Sequence, residues 1–183
     1  MHNKRASCQQ GFTLIEAMIV IAIVAIVLSL AVPSFNDFFE KNRLKRAAEE
    51  VYGLITKARA EAVIRSVDMR VDVDAGTWCL GYEERPSPFD PPCNCANANS
   101  CTVDVAGTPV TQVVSGADFS GVTITESFAG VTFFDTVKGT AGNGTVSLSA
   151  ADWDLDVVVS NMGRVRICAP SSSQSTMGYR ACP

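Results

Sequence analysis

The strongest constraint on this chain is an almost unbroken apolar run at residues 17–32, preceded by Gly11-Phe12-Thr13-Leu14-Ile15-Glu16 and a short polar segment. Counted from Phe12, about 21 residues at ~1.5 Å rise make a helix ~31 Å long, enough to cross a bilayer's hydrocarbon core. Lys4 and Arg5 precede the run. By the positive-inside bias they stay cytoplasmic, so the remainder is expected on the far side of the membrane. An ordinary secretory signal has a shorter apolar core followed by a small-residue cleavage site. Here the run is longer and continues into a helical pattern. Glu16 is the informative exception, because a carboxylate at the start of a membrane helix is expensive and needs a partner or a purpose.

Gly11-Phe12-Thr13-Leu14-Ile15-Glu16 resembles the recognition motif of the type IV prepilin family. The resemblance implies that a prepilin peptidase cleaves between Gly11 and Phe12 on the cytoplasmic side, and that Phe12 is then N-methylated. It also places the family's motif glutamate on Glu16. Cleavage creates a positive α-amine where charges need partners, and Glu16 of a neighbouring subunit can supply one. Two buried charges then neutralise each other only when subunits stack in register, which makes Glu16 an assembly device. The expected divisions are a leader at 1–11, a transmembrane or filament-core helix at 12–33, an amphipathic helix at 34–66 and a β-domain at 67–183.

Pro33 follows the apolar run, where a kink or local unwinding is expected. Beyond it Leu44, Ala47, Ala48, Val51, Leu54, Ile55, Ala58 and Ala62 recur at the spacing of one helix face. Charged residues fill the opposite face, which reads as solvated, with pairing between subunits as the alternative. One helix is predicted from about Phe12 to about Ser66.

After Ser66 the period becomes two. Met69-Arg70-Val71-Asp72-Val73 alternates, as do residues 77–82, 122–125 and 164–168, while 131–134 and 156–160 are more continuous. Glycines separate these segments. The fold class is therefore α+β, a long N-terminal helix packed on an antiparallel β-sheet domain of about seven or eight short strands. Residues 83–100 hold four of the eight prolines together with Cys93 and Cys95, and read as an irregular loop.

Of the seven cysteines, Cys8 lies in the expected leader. The other six, Cys79, Cys93, Cys95, Cys101, Cys168 and Cys182, are an even number in an exported domain, as three disulfides require. Neighbourhood pairs Cys168 with Cys182; Cys93 and Cys95 then each reach Cys79 or Cys101. A zinc site would need C-x₂₋₄-C spacing on both sides, and this set has a single C-x-C. The one histidine, His2, also falls in the leader. No nucleophile elbow, phosphate loop or paired-carboxylate pattern is present, so neither an enzyme nor a cofactor is expected. Asp152-Trp153-Asp154-Leu155-Asp156 lacks the spacing and glycine of a calcium loop and reads as a solvated acidic strand edge.

The formal charge of −4 hides a partition. From residue 67 onward, six Lys/Arg face thirteen Asp/Glu, whereas residues 34–66 carry seven against five. An acidic β-domain has no bulk affinity for nucleic acid, whose binding rests on accumulated positive charge. Any such contact must be local, and Gly163-Arg164-Val165-Arg166 is the candidate place for it; the plainer reading of these residues is a surface strand with two solvent-facing arginines. On a strand, Arg164 and Arg166 share one face about 7 Å apart, near the spacing of successive phosphates. Gly163 permits a turn that lifts the pair to the domain edge. Lys138 and Arg180 are candidate reinforcing cations.

With the helix, Trp78-Cys79-Leu80-Gly81 and Cys93-Asn94-Cys95, this late Gly-Arg-x-Arg gives a layout that resembles the FimT/GspH family of minor pilins. The resemblance implies DNA contact during natural transformation, carried by Gly163, Arg164 and Arg166. The other reading is a structural minor pilin, or the H-type pseudopilin of a type II secretion system, without DNA affinity. Both imply a single-pass inner-membrane precursor with a periplasmic C-terminal domain. Its partners are the peptidase and other pilin or pseudopilin subunits in a pilus or pseudopilus.

Overall fold

The computed structural model describes residues 11–85, 91–97, 99–127, 132–134, 140–170 and 177–183, with the side chains of 30–34 and 132–134 set aside. The expected leader with His2 and Cys8, the side chain of Pro33, and Lys138 lie outside that description. The chain divides into two compact units, Met1–Phe39 and Glu40–Pro183.

One helix, α1, runs from Leu14 to Arg65. Its start is capped by Thr13, whose hydroxyl accepts the Glu16 N–H at 3.3 Å, while the Thr13 carbonyl accepts from Ala17 N–H at 3.2 Å. A Thr-x-x-Glu start of this kind satisfies amide groups that have no intrahelical partner. The helix ends where Ser66 turns to φ 56° and Val67 N–H reaches back to the Ala62 carbonyl at 3.3 Å. The backbone stays helical through Pro33, so the local unwinding expected there is not seen. A proline removes one hydrogen bond of the ladder, and the neighbouring bonds are enough to hold the turn.

In the first unit, the large apolar side chains from Leu14 to Leu28 are exposed. Among the described residues no helix is long and apolar enough to cross a membrane.

In the second unit, the stripe Leu44, Ala47, Ala48, Val51, Leu54, Ile55, Ala58 and Ala62 is buried. It packs into one core with strand residues such as Val71, Leu80, Tyr82, Leu148, Leu155 and Val157. The described residues hold ten strands: β1 (Met69–Asp74), β2 (Cys79–Glu84), β3 (Thr102–Val105), β4 (Thr108–Thr111), β5 (Val113–Ser115), β6 (Thr123–Glu126), β7 (Thr132–Phe134), β8 (Gly144–Ala150), β9 (Trp153–Val159) and β10 (Val165–Cys168). They form two four-stranded sheets, ordered β5-β2-β1-β7 and β10-β9-β8-β6, and the ribbon β3-β4. Every strand pairing is antiparallel. The excess over seven or eight comes from β3, β4 and β5, strands of three or four residues.

Two expectations are corrected. The charged face of α1 is not simply solvated. Lys41 lies 3.8 Å over the Trp153 ring, Lys45 and Arg46 stand over Tyr179 and Phe119, and the Arg43 guanidinium donates to the Ser120 carbonyl. Farther along, Lys57 donates to Gln112 Oε1 at 2.7 Å, and Arg65 joins Glu61, Glu84 and the Asp104 carbonyl. These cations fasten the helix to the sheets because their long stems lie on apolar surface while their heads find rings and carbonyls. Second, residues 153–156 belong to β9, which is interior to its sheet and not an edge. Leu155, Val157 and Val159 face the core, so Asp154 and Asp156 fall on the outer face.

Candidate functional site

The two ends of the chain carry different kinds of site. At the N-terminal end, Gly11 and Phe12 precede the first helical turn and are exposed. Glu16 sits in that turn as its one acidic residue, where a carboxylate complements the helix dipole. The helix begins two residues after the expected scissile bond, so cleavage there would leave the Phe12 amine beside a capped helix start. Sequence reasoning gave Glu16 an assembly role and missed the cap, although Thr13-x-x-Glu16 was its signal.

Among the described residues of the β-domain, β10 is the edge strand of its sheet, paired with β9, Arg166 opposite Val158 and Cys168 opposite Asp156. The connection is a tight turn. Gly163 N–H donates to the Ser160 carbonyl at 2.7 Å, Ser160 N–H to the Arg164 carbonyl at 3.0 Å, and Arg164 N–H to the Ser160 hydroxyl at 3.1 Å. Gly163 has φ 71°, a left-handed conformation that a side chain would strain. The turn sets the phase of the strand. Val165 and Ile167 pack half-buried against the core, and Arg164 and Arg166 emerge exposed on the outer face. Among the described residues neither arginine has an ion-pair partner.

The two guanidinium groups line an open depression of about 540 Å³ together with Asn143, Ser160, Asn161 and Met162. Met162, at the tip of the turn, is 79% exposed. Two cations about 7 Å apart on an edge strand, without ion-pair partners among the described residues, are spaced to meet successive phosphates of one backbone. Gly163, Arg164 and Arg166 are thus brought together at one place.

The cysteines lie in two groups. Cys79–Cys95 and Cys93–Cys101 are disulfides that form a small buried cluster with Val113 against it, and Cys168–Cys182 joins β10 to the last residues. The described part of the proline-rich loop is held by these bonds and by Arg70. That side chain is buried on β1, pairs with Glu83 and donates to the Pro91 carbonyl. No sequence signal marked Arg70, which reads as the polar member of an alternating strand.

A second open cavity, about 590 Å³, is lined by Asp72, Asp74, Glu126 and residues 91–94. Burial pushes the Asp72 carboxyl up, with the charge on Asp74 adding to it, and burial with the charges on Asp72 and Asp74 does the same to Glu126. Asp74 is held down by hydrogen bonds from Thr77.

Comparison with known proteins places the chain in a family. Residues 47–163 match the family described as type II transport protein GspH, and residues 6–32 match the prokaryotic N-terminal methylation motif. A type IV major fimbrial protein FimA of Dichelobacter nodosus is 35% identical over 79 residues, 43% of this chain and 48% of the relative. A fimbrial protein of Pseudomonas aeruginosa is 44% identical over 52 residues, 28% of this chain and 34% of the relative. The chain therefore spans about half the length, or less, of these relatives. Among solved structures, the minor pseudopilin EpsH from the type 2 secretion system of Vibrio cholerae superposes with a TM-score of 0.51 at 16% identity. The superposition covers 69% of this chain and 97% of that one, a likeness of fold.

Proposed function

The chain belongs to the GspH family of pilin-like proteins, and on that premise we propose that it is a minor type IV pilin that contacts DNA through Arg164 and Arg166. The observation that carries this reading is the pair itself. Two exposed guanidinium groups without ion-pair partners among the described residues stand on one face of an edge strand, beyond a turn that needs Gly163. In a domain whose net charge is negative, the contact is local, electrostatic and independent of sequence, and DNA uptake for natural transformation is the process it would serve.

The methylation-motif match over residues 6–32 supports the rest of the reading. A prepilin peptidase cleaves between Gly11 and Phe12, residues 12–33 anchor the precursor in the inner membrane, and the β-domain stands in the periplasm. Other pilin subunits are the assembly partners, with Glu16 neutralising a neighbour's Phe12 amine.

The test is DNA binding by the full-length chain in detergent, measured by gel shift at two ionic strengths. Binding is expected to fall steeply when salt is doubled and to disappear in the Arg164→Ala, Arg166→Ala double variant. Undiminished binding by that variant would sink the assignment.

A second reading, favoured by the family's description as a type II transport protein, is a structural minor pilin or H-type pseudopilin without DNA affinity. Co-purification with a tip complex of pilin-like subunits, with no DNA retained at low salt, would select it.

A further inference from the structure

The last residues of the chain add to the same edge. Ala169 N–H donates to the Arg180 carbonyl at 2.9 Å, and the Ala169 carbonyl accepts from Cys182 N–H at 3.0 Å, so Ala169 and Ala181 form a parallel bridge. The Arg164 carbonyl is turned toward β9, where it accepts from Ser160. Main-chain groups alternate along a strand, so those of Ala169 are turned the other way. Residues 180–182 therefore flank Ala169, just past the end of β10, on the side turned away from β9, and Cys168–Cys182 joins them to the strand.

The disulfide also fixes the side-chain phase. Cys168 shares a face with Arg166 and Arg164, at successive steps of two residues. Cys182 is bonded to Cys168, so its side chain reaches that same face. Arg180 lies two residues before Cys182 and is exposed. Parallel pairing of 181 with 169 sets Arg180 beside Cys168. The Cα atoms of Cys168 and Cys182 are 5.0 Å apart, so the disulfide draws the tail in against the end of the strand that carries Arg166. Arg180 has no ion-pair partner among the described residues. Of the carboxylates on this face, Asp156 of β9 reaches the disulfide, its Oδ2 3.6 Å from Cys182 Sγ, and Asp154 lies two residues farther along β9.

We infer that Arg180 is a third phosphate contact in line with Arg164 and Arg166, and that Cys168 and Cys182 are its positioning residues. This rests on the DNA-binding reading of the arginine pair and extends its footprint from two phosphates to three. Tyr179 anchors the start of the tail on α1 through Glu49 and Lys45; beyond it, without the disulfide, the two hydrogen bonds at Ala169 hold residues 180–182, too little to fix an arginine side chain against its own rotamer freedom.

The experiment is fluorescence anisotropy of a labelled DNA duplex with the full-length chain in detergent, titrated across ionic strengths. Each lost phosphate contact lowers the slope of log K against log salt by about 0.9. Arg180→Ala is expected to lower it by that one step, Arg180→Lys to retain it, and a Cys168→Ser, Cys182→Ser double variant to match the Arg180→Ala loss. Adding Arg180→Ala to the disulfide variant should then change nothing further. An unchanged slope in Arg180→Ala, while Arg164→Ala, Arg166→Ala abolishes binding, overturns the third contact and leaves the pair standing. A slope lost in Arg180→Ala but kept in the disulfide variant overturns the positioning role. Full binding without Arg164 and Arg166 removes the underlying reading and this inference with it.

Discussion

The ammonium group of Lys41 lies 3.8 Å above the ring of Trp153, joining the helix to the first residue of β9. A cation held over an indole face in a partly desolvated place contributes about 0.5–2 kcal/mol. Lys41→Ala should lower the stability of the folded chain by that amount, read as a lower thermal midpoint, whereas Lys41→Arg should restore most of it. Equal midpoints for wild type and Lys41→Ala in a circular dichroism melt would show the contact to be idle.

Gly81 faces a disulfide. A Cβ built there would stand 2.5 Å from Cys101 Sγ and 2.8 Å from Cys101 Cβ, well inside van der Waals contact and against a bonded side chain. Gly81→Ala should therefore cost ~1–3 kcal/mol by overpacking and impair formation of Cys93–Cys101. Thiol counting on the denatured variant reads the second effect directly; beyond the thiol of Cys8, two free thiols are expected in part of the population, and none in wild type.

Glu16 has two duties, as the acidic residue of the first helical turn and as the proposed partner of a neighbour's amine. Glu16→Ala should leave cleavage after Gly11 intact and reduce incorporation into filaments. Glu16→Gln separates the two, since it keeps a side chain able to serve the cap but not the charge. Loss of incorporation in both variants, with processing normal by mass, supports the charge. Normal incorporation of Glu16→Gln refutes it.

Asp72 bears on stability against pH. Its folded-state pKa is raised above the ordinary 3.8, first by burial and then by Asp74. The folded state then holds the proton longer than the unfolded chain does. The stability this group contributes is fully present below its unfolded pKa and is lost as pH rises through the folded value. At neutral pH the ionised group is a burden, so Asp72→Asn should stabilise the domain there, by less than ~1 kcal/mol given solvent screening. The gain should vanish under acidic conditions. A midpoint difference that does not change with pH would contradict this.

How much of this could be read beforehand varies by element. The helix stripe from Leu44 to Ala62 could be, because each residue type repeats the geometry of one face. β8 alternates completely, Val146, Leu148 and Ala150 buried and the intervening Thr145, Ser147 and Ser149 only partly so, and yet its leading Gly142-Asn143-Gly144 made the stretch read as a break. β4 carries Pro109, which argues against a strand unless the strand lies at an edge. The start of β2 was shifted by Trp78, whose φ of 49° no local pattern announces. The arginine pair was legible from spacing. Arg180 could be named as a candidate cation and Cys168–Cys182 as a pair; the depression and the bridge of Ala169 to Ala181 could not, since they depend on contacts between distant residues.

The connectivity Cys79–Cys95 and Cys93–Cys101 is interlaced, the second bond beginning before the first has closed. Every peptide bond between residues 79 and 101 is therefore spanned by at least one sulfur link. A protease that nicks this stretch once cannot detach either side. An exported subunit facing extracellular hydrolases would thus keep its covalent continuity after such a cut, and with it the mechanical link between the filament and whatever the far edge of the domain is holding.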